Sequence, residues 1–149
     1  MDVGSKHGYP SSALSNFSPH PFEFDGVKVN SMEGLLQSFK FSNPEMQKHI
    51  CTLVGYAAKK AGRHKNWQRD QTLYWQGTEF KRDSDEYQEL LDRAYNAVAE
   101  QNEGFRKALL ASGDAVLTHN IGRTNRKETV LTQSEFCRRL MTIRERLKK

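Results

Sequence analysis

The sequence has little of what marks membrane, secreted or fibrous proteins. Its 149 residues include only two cysteines, four prolines and ten glycines, which excludes a disulfide framework and a fibrous repeat. No run of about 18 apolar residues occurs, so no membrane-spanning helix is expected. The first ten residues are polar and lack the apolar stretch of a signal peptide. We therefore expect a cytoplasmic protein.

The two cysteines do not suggest a metal site. Neither Cys51 nor Cys137 belongs to a C-x-x-C pair or has a histidine at metal-ligand spacing. Each lies beside apolar positions of a predicted helix, where a free thiol behaves as a small hydrophobic side chain. The sequence therefore predicts two buried, unreactive cysteines, and neither a metal nor a cofactor.

What the chain does contain is enough apolar and aromatic material for one globular domain. Hydrophobic residues make up 36% of the sequence and charged residues 28%, and the length suits a single domain with its own core. The Asp25-Gly26 pair between alternating apolar positions predicts a β-hairpin over 22–29. Helical periodicity and capping residues predict the other elements, which are helices over 31–42, 44–54, 56–61, 84–102, 105–111 and 132–147, and a strand over 115–118.

These elements predict the fold class: a mainly α (α+β) protein, built as one helical domain over residues 1–149 with a small β-hairpin. No linker, internal repeat or low-complexity segment divides the chain. Residues 1–11 precede the first patterned segment, and we expect them to be flexible or loosely packed.

Positive charge is concentrated in two zones. The net charge is +5, and residues 59–69 hold five basic residues and no acid, while residues 123–149 hold nine basic residues and three acids. Two basic zones on a small domain favour a phosphate-bearing or nucleic-acid partner. A solvated basic surface without a partner is the alternative.

The helix over 31–42 carries a polar strip beside its apolar face. Glu33, Gln37 and Lys40 lie within about 60° of one another around the helix axis, and the apolar set is centred about 120° away. Side chains tilt toward the helix N-terminus, so Lys40 reaches back over Gln37 toward Glu33. An acid, an amide and an amine could close around one ligand, although an ordinary solvated face has the same pattern.

This region resembles a known family. The segment Leu14-Ser15-Asn16-Phe17, the hairpin turn and the run Ser31-Met-Glu-Gly-Leu-Leu-Gln-Ser-Phe-Lys-Phe41 are similar to the signature of the NADAR (YbiA-like) family. Looser matches extend the resemblance over residues 12–147. Gly34 stands where the family usually has histidine, and residues 117–123 replace the family's later acidic, Trp-Gly-rich loop.

The resemblance implies an α-rich fold and N-glycosidase activity on phosphorylated ribosides. The family's catalytic acid falls on Glu33, its helix lysine on Lys40 and the aromatic of its Asn-Trp pair on Trp67. Known family substrates include early riboflavin-pathway intermediates and ADP-ribose attached to guanine in nucleic acid. The altered loop and the basic charge favour the second.

Further substrate-binding residues are predicted around that strip. Asn16 and Phe17 precede the hairpin, where they could contact a ribose or a base. Arg63 and Trp67 combine a cation with an aromatic ring, which suits phosphate neutralisation and stacking, although a tryptophan can equally cover the core. His119 could bind substrate or assist proton transfer as a neutral imidazole, although a lone histidine is often structural.

The sequence thus predicts an enzyme with Glu33 as general acid/base and Lys40 as a nucleophile that traps the sugar C1 as an iminium. Its partner would be ADP-ribosylated nucleic acid or a phosphorylated nucleotide, without a membrane, metal or cofactor. Two alternatives stay open. One is a non-catalytic module that binds ADP-ribose or nucleic acid; the other is an N-glycosidase that acts on riboflavin-pathway intermediates.

Overall fold

The computed structural model describes all residues 1–149 and confirms the predicted fold class. Seven α-helices and two separate antiparallel hairpins make up the chain. None of the helices combines the length and the apolar character that crossing a bilayer requires. The elements are α1 (Ser11–Leu14), β1 (Phe22–Phe24), β2 (Val27–Val29), α2 (Met32–Ser38), α3 (Pro44–Cys51), α4 (Gly55–Gly62), β3 (Thr72–Trp75), β4 (Thr78–Lys81), α5 (Asp85–Gln101), α6 (Glu103–Ala111) and α7 (Gln133–Leu147), with a single 3-10 turn at Trp67–Arg69.

The first hairpin forms as the sequence predicts. Strand β1 pairs with β2 so that Phe22 faces Val29 and Phe24 faces Val27. Asp25 and Gly26 both adopt left-handed backbone angles, with φ of 48° and 81°, as a two-residue type I′ turn requires. The apolar side chains of both strands are buried, which places this hairpin against the core.

Helix α2 is shorter than predicted and ends at Ser38. Its last carbonyl groups bond to other elements instead of continuing the helix. The buried Gln47 amide donates to the carbonyls of Ser38 and Phe41, and the Tyr74 N–H donates to the carbonyl of Phe39. Lys40 still follows in a 3-10-type turn, because its N–H bonds to the Gln37 carbonyl at 3.1 Å.

The second hairpin is absent from the sequence prediction. Strands β3 and β4 are joined by Gln76 and Gly77, which have φ of 48° and 86°. The two hairpin turns contact each other, since the Trp75 indole donates to the Asp25 carboxylate at 2.8 Å. Tertiary contact with the first turn therefore stabilises a turn whose local signal is weak.

The core joins α2, α5, α7 and both hairpins. Phe39 lies edge-on to Trp75 and to Tyr87, with ring centroids 5.7 and 6.2 Å apart. Cys51 and Cys137 are both free and buried, as predicted. Burial raises the pKa of each thiol to about 11, so neither is a thiolate at neutral pH.

Residues 1–3 are packed against the domain, within the segment 1–11 that the sequence predicts to be flexible or loosely packed. Val3 is fully buried, and Asp2 and Thr118 form a parallel bridge. The Val3 N–H bonds to the Thr118 carbonyl at 2.7 Å, and the Thr118 N–H bonds to the Met1 carbonyl at 2.9 Å. The strand predicted over 115–118 is reduced to this one bridge, because its partner is the N-terminal segment rather than a sheet.

Candidate active site

One cavity of about 660 Å³ opens along the polar side of α2. Its walls come from residues 4–7, from the segment after α1, from α2 and α4, from the 3-10 turn, and from two stretches of the loop before α7. Seven of the eight residues predicted for the site line it: Asn16, Phe17, Glu33, Gln37, Lys40, Trp67 and His119. The cavity is within the size range of small-molecule and cofactor sites.

Helix α2 and the turn after it align Glu33, Gln37 and Lys40 as the periodicity predicts. Ser31 caps the helix by accepting a hydrogen bond from the Gly34 N–H at 3.1 Å, and the Glu33 N–H donates to the Asn16 carbonyl at 2.9 Å. The Gln37 amide donates to the Glu33 carboxylate at 2.7 Å. A carboxyl, an amide and an amine therefore follow one another along one wall of the cavity.

The Gln37 side chain is 94% buried, since 6% of it is exposed, and its amide oxygen has no hydrogen-bond partner. That oxygen lies over Gly62 of α4, where an added Cβ would come within 1.9 Å of it. The absence of a side chain at Gly62 therefore makes room for Gln37 and for the stem of Lys40. An unpartnered buried amide oxygen is costly.

The environment shifts the pKa values of Glu33 and Lys40 in opposite directions. Burial raises the pKa of the Glu33 carboxyl, and the opposing effects of the Gln37 hydrogen bond and the Lys40 charge are smaller. Burial likewise lowers the pKa of the Lys40 amine, which Glu33 only partly offsets. Both shifts favour the neutral forms, a carboxylic acid that can donate a proton and an amine that can attack carbon.

The other predicted residues occupy well-defined places. The Asn16 side-chain oxygen accepts a hydrogen bond from the Tyr95 hydroxyl at 2.7 Å. Trp67 is 5% exposed and belongs to the core, yet it also lines the cavity. The two interpretations of Trp67 are therefore compatible, because one face of a core side chain can border a cavity. Phe17 is partly buried and lies beside Gly55 at the start of α4.

Arg63 is the predicted residue that does not line the cavity. Its guanidinium lies 5.3 Å from the centre of the Tyr56 ring and donates to the Tyr56 hydroxyl at 2.6 Å. Tyr56 is 59% exposed and lines the cavity. Arg63 thus contacts the site through Tyr56, a residue that the sequence analysis did not select because an exposed helical tyrosine carries no local signal.

Two buried side chains hold the loop wall in place. The Arg82 guanidinium donates to the Thr129 carbonyl at 2.8 Å, and the Tyr87 hydroxyl donates to the Val130 carbonyl at 2.6 Å. Arg82 also forms a bidentate pair with Glu135 at the start of α7. The capping box of Thr132 and Glu135, predicted from the sequence, is present. The wall is therefore fixed by core groups although it has no regular structure.

The two basic zones meet around the cavity. Lys59 from the first zone and Arg123 from the second both line it, and Lys6 adds a third cation. The Gln71 amide donates to the Lys127 carbonyl at 3.0 Å, which joins the segment after the 3-10 turn to the second zone. No three His, Cys, Asp or Glu side chains are grouped as metal ligands. The cavity therefore offers cations and hydrogen-bonding groups to a ligand.

Comparison with known proteins gives the family and the fold. The family model of the bacteriophage protein GP30.3 matches residues 8–145. The 17.1 kDa protein from the Gp30–rIII intergenic region of Enterobacteria phage T4 is 42% identical over 149 residues, which covers 99% of this chain and 98% of that protein. The NMR structure of E. coli YbiA is similar with a TM-score of 0.65 and 21% identity, covering 99% of this chain and 84% of that chain. The chain therefore belongs to the bacteriophage GP30.3 protein family and shares its fold with YbiA.

Proposed function

We propose that this chain is an N-glycosidase that hydrolyses the C–N bond between ribose and a base in a phosphorylated riboside. The substrate that we propose is ADP-ribose attached to guanine in nucleic acid. The observation that carries the proposal is the pairing of Glu33 and Lys40 on one cavity wall, each shifted by burial toward its neutral form. A domain that only binds ADP-ribose would need cations and aromatic rings but not this acid–amine pair.

Glu33 supplies the proton. Its carboxyl lies in the cavity with a pKa raised by burial, so the protonated form persists to higher pH than in an exposed glutamate. General acid catalysis is most effective when the pKa of the acid lies near the working pH. Glu33 donates its proton to the ribose ring oxygen or the departing base as the bond to C1 weakens, and Gln37 orients the carboxyl through its hydrogen bond.

Lys40 supplies the nucleophile. Neutral Lys40 attacks C1, the bond between C1 and the base breaks, and the leaving base takes the proton from Glu33. The ring C1–O bond then breaks while one proton of the Lys40 nitrogen moves to the ring oxygen, which gives a hydroxyl and an iminium between C1 and the Lys40 nitrogen. Water adds to C1, and the carbinolamine collapses to the free sugar aldehyde and the lysine amine.

The surroundings of the pair support a phosphate-bearing substrate. Lys6, Lys59 and Arg123 line the cavity, and Glu128 is the one acid near Arg123, at 3.5 Å. Trp67, Phe17 and Tyr56 offer aromatic surface for a base. A diphosphate would be neutralised by these cations, and the volume of the cavity accepts a nucleotide.

The test is turnover of defined substrates. The protein is incubated with single-stranded DNA carrying ADP-ribosylated guanine and, separately, with a free ribosylamine phosphate, and the products are identified by mass spectrometry. We expect release of ADP-ribose and unmodified DNA. Tight binding without product would favour the non-catalytic module, and cleavage of the free ribosylamine alone would favour the riboflavin-type substrate.

Reductive trapping tests the covalent step. Borohydride added during turnover should fix a sugar adduct on Lys40 in the wild type and none in Lys40→Arg, with Lys48→Arg on exposed helix α3 as the matched control. Wild-type protein that turns over without forming an adduct would exclude the iminium. Activity should also survive EDTA, and loss that is restored by a divalent ion would contradict this mechanism.

A further inference from the structure

We propose that His119 is the general base that activates the hydrolytic water, and that the N-terminal segment around Val3 is a positioning element that sets its tautomer. This inference rests on the proposed N-glycosidase function. It concerns the part of the cavity in which residues 117–123 replace the family's later loop, so the resemblance assigns no base there.

The backbone contacts of residues 1–3 continue into the His119 ring. The Thr118 N–H donates to the Met1 carbonyl, the Val3 N–H donates to the Thr118 carbonyl, and the His119 Nδ1 atom lies 2.7 Å from the Val3 carbonyl oxygen. A carbonyl oxygen only accepts hydrogen bonds, so Nδ1 must carry the proton. The neutral ring therefore has its lone pair on Nε2.

The His119 ring has little freedom to turn away from this arrangement. It packs nearly perpendicular to the Phe136 ring, at a centroid distance of 5.2 Å and an interplanar angle of 81°. An added Cβ at Gly122 would come within 2.6 Å of the ring Cδ2 atom. Asp2 fixes the backbone on either side by accepting hydrogen bonds from the Asn120 N–H at 2.8 Å and the Thr118 hydroxyl at 3.1 Å.

The Nε2 atom makes no hydrogen bond to the protein, and it is not sealed off from solvent. His119 lines the cavity, and it is near enough to Glu33 for its charge to influence that carboxyl. The ring thus presents an unused proton acceptor to the same cavity that holds the acid and the amine.

Several other acceptors of the cavity are engaged by protein groups. Glu33 has given its proton to the leaving base by this stage, and its carboxylate accepts the hydrogen bond from the Gln37 amide. Glu128 pairs with Arg123, and the His7 Nε2 atom lies 3.4 Å from the Asp2 carboxylate. His119 Nε2, by contrast, is an acceptor that no protein group engages.

Hydrolysis of the iminium begins with the addition of water. The water oxygen bonds to C1 of the iminium, the π electrons of the C=N bond move to the Lys40 nitrogen, and a water proton moves to His119 Nε2. His119 returns that proton to the Lys40 nitrogen. The C1–N bond then breaks while the hydroxyl proton leaves to solvent, which gives the aldehyde and the free amine.

Two substitutions of His119 test its role as the general base. The amide nitrogen of His119→Asn can replace Nδ1 and keep the bond to the Val3 carbonyl, but it leaves no acceptor at Nε2. We expect kcat to fall about 100-fold or more, as for loss of a general base, while KM changes less than about threefold. His119→Ala should lower kcat by a similar factor, and imidazole added to this variant should restore part of the rate. His49→Asn on exposed helix α3 is the matched control.

The N-terminal segment that holds the His119 ring through the Val3 carbonyl, here called the tether, is tested with Asp2→Ala. This variant should lower kcat with little change in KM, while the His49 control stays at the wild-type rate. Long-range 1H–15N NMR of the wild type should show the His119 Nδ1–H tautomer in the neutral ring, and this measurement needs no turnover. An Nε2–H tautomer, or His119→Asn with at least half the wild-type kcat, would overturn the inference. Wild-type protein that cleaves no probe but shows the expected tautomer would contradict the proposed function and leave the tether supported.

Discussion

Glu33 is held in a setting where its charge is costly. Folding raises its pKa above the ordinary 4.5 by burial, so the folded chain binds this proton more tightly than the unfolded chain does. Stability that depends on the proton is therefore present at acid pH and is lost as pH rises from 4.5 through the raised value.

Glu33→Gln should therefore stabilise the chain increasingly as pH rises. Glutamine keeps an oxygen acceptor for Gln37 and carries no charge, so the difference in free energy of unfolding from wild type should grow as pH rises above 4.5 toward the raised pKa of Glu33. Urea denaturation at several pH values measures it, with exposed Glu79→Gln on β4 as control. A difference that stays constant over this range would contradict the buried acid. The same variant should lose turnover.

Gly62 offers a second probe of the same strip. An added methyl at this position would lie 1.9 Å from the Gln37 amide oxygen, so Gly62→Ala must displace the amide that orients Glu33. We expect kcat to fall at least about tenfold, since small displacements of positioning groups have effects of this order. The control is Gly8→Ala, whose methyl would meet no atom within 4 Å. Unchanged kcat in Gly62→Ala would show that Gln37 does not orient the acid.

At the scale of elements, α2 is held by close packing against the end of α3. A Cβ on Gly34 would lie 2.8 Å from the Leu53 carbonyl oxygen and 2.9 Å from that of Ile50. These are backbone atoms and cannot rotate away, which gives a physical reason for glycine where the NADAR pattern usually has histidine. We expect Gly34→Ala to cost about 1–3 kcal/mol, as overpacking does. Urea denaturation would detect it, and a neutral effect, equal to that of Gly8→Ala, would contradict the close packing.

The pair between Arg82 and Glu135 connects β4 to α7 across the interior. Burial alone would raise the pKa of Glu135, but hydrogen bonds from Arg82, the Thr132 N–H and Gln88 outweigh it and hold the pKa at about 2. The stability from this depressed pKa is present above 4.5 and is lost as pH falls from 4.5 toward 2.

Removal of one partner should be far more costly than removal of an exposed pair. Arg82→Met removes the buried bidentate partner of the Glu135 carboxylate and leaves only the half-exposed Arg126, at 3.6 Å, as a cationic neighbour, and we expect a loss of about 3–5 kcal/mol at neutral pH. The control is Lys107→Met, which breaks the exposed pair with Glu103 and should change stability by less than about 1 kcal/mol. Equal effects of the two variants in urea denaturation would contradict the role given to the buried pair.

The elements that local signals encode were predictable, and those that distant contacts stabilise were not. Asp25-Gly26 and the Thr132 capping box specify their turns by their own chemistry, and the period of α2 placed Glu33, Gln37 and Lys40 on one side. The turn at Gln76 needs the Asp25 turn for its stability, and no local pattern contains that contact. The contact between His119 and the N-terminal segment could not be predicted from the sequence for another reason: it uses a backbone carbonyl, which any residue could supply.

For the molecule as a whole, the basic zones around the cavity should make binding depend on salt. Phosphate contacts release counterions, so affinity for ADP-ribosylated DNA should fall as salt rises. The double charge reversal Lys60→Glu and Arg63→Glu should weaken binding further and reduce the salt dependence, as fluorescence anisotropy can measure. Lys107→Glu, on a helix that contributes no residue to the cavity, is the control. Affinity that is the same at low and high salt would exclude a nucleic-acid substrate and favour a small nucleotide.

The contact between Val3 and His119 joins positions 116 residues apart. During synthesis on a ribosome, residue 119 emerges long after residue 3, so this wall of the cavity closes only when most of the chain is available. Contacts over such a distance also form late during refolding, because their loop-closure entropy is lost before other contacts compensate for it. A nascent chain that stops before His119 contains Glu33 and Lys40 but lacks the residues that complete the cavity around them.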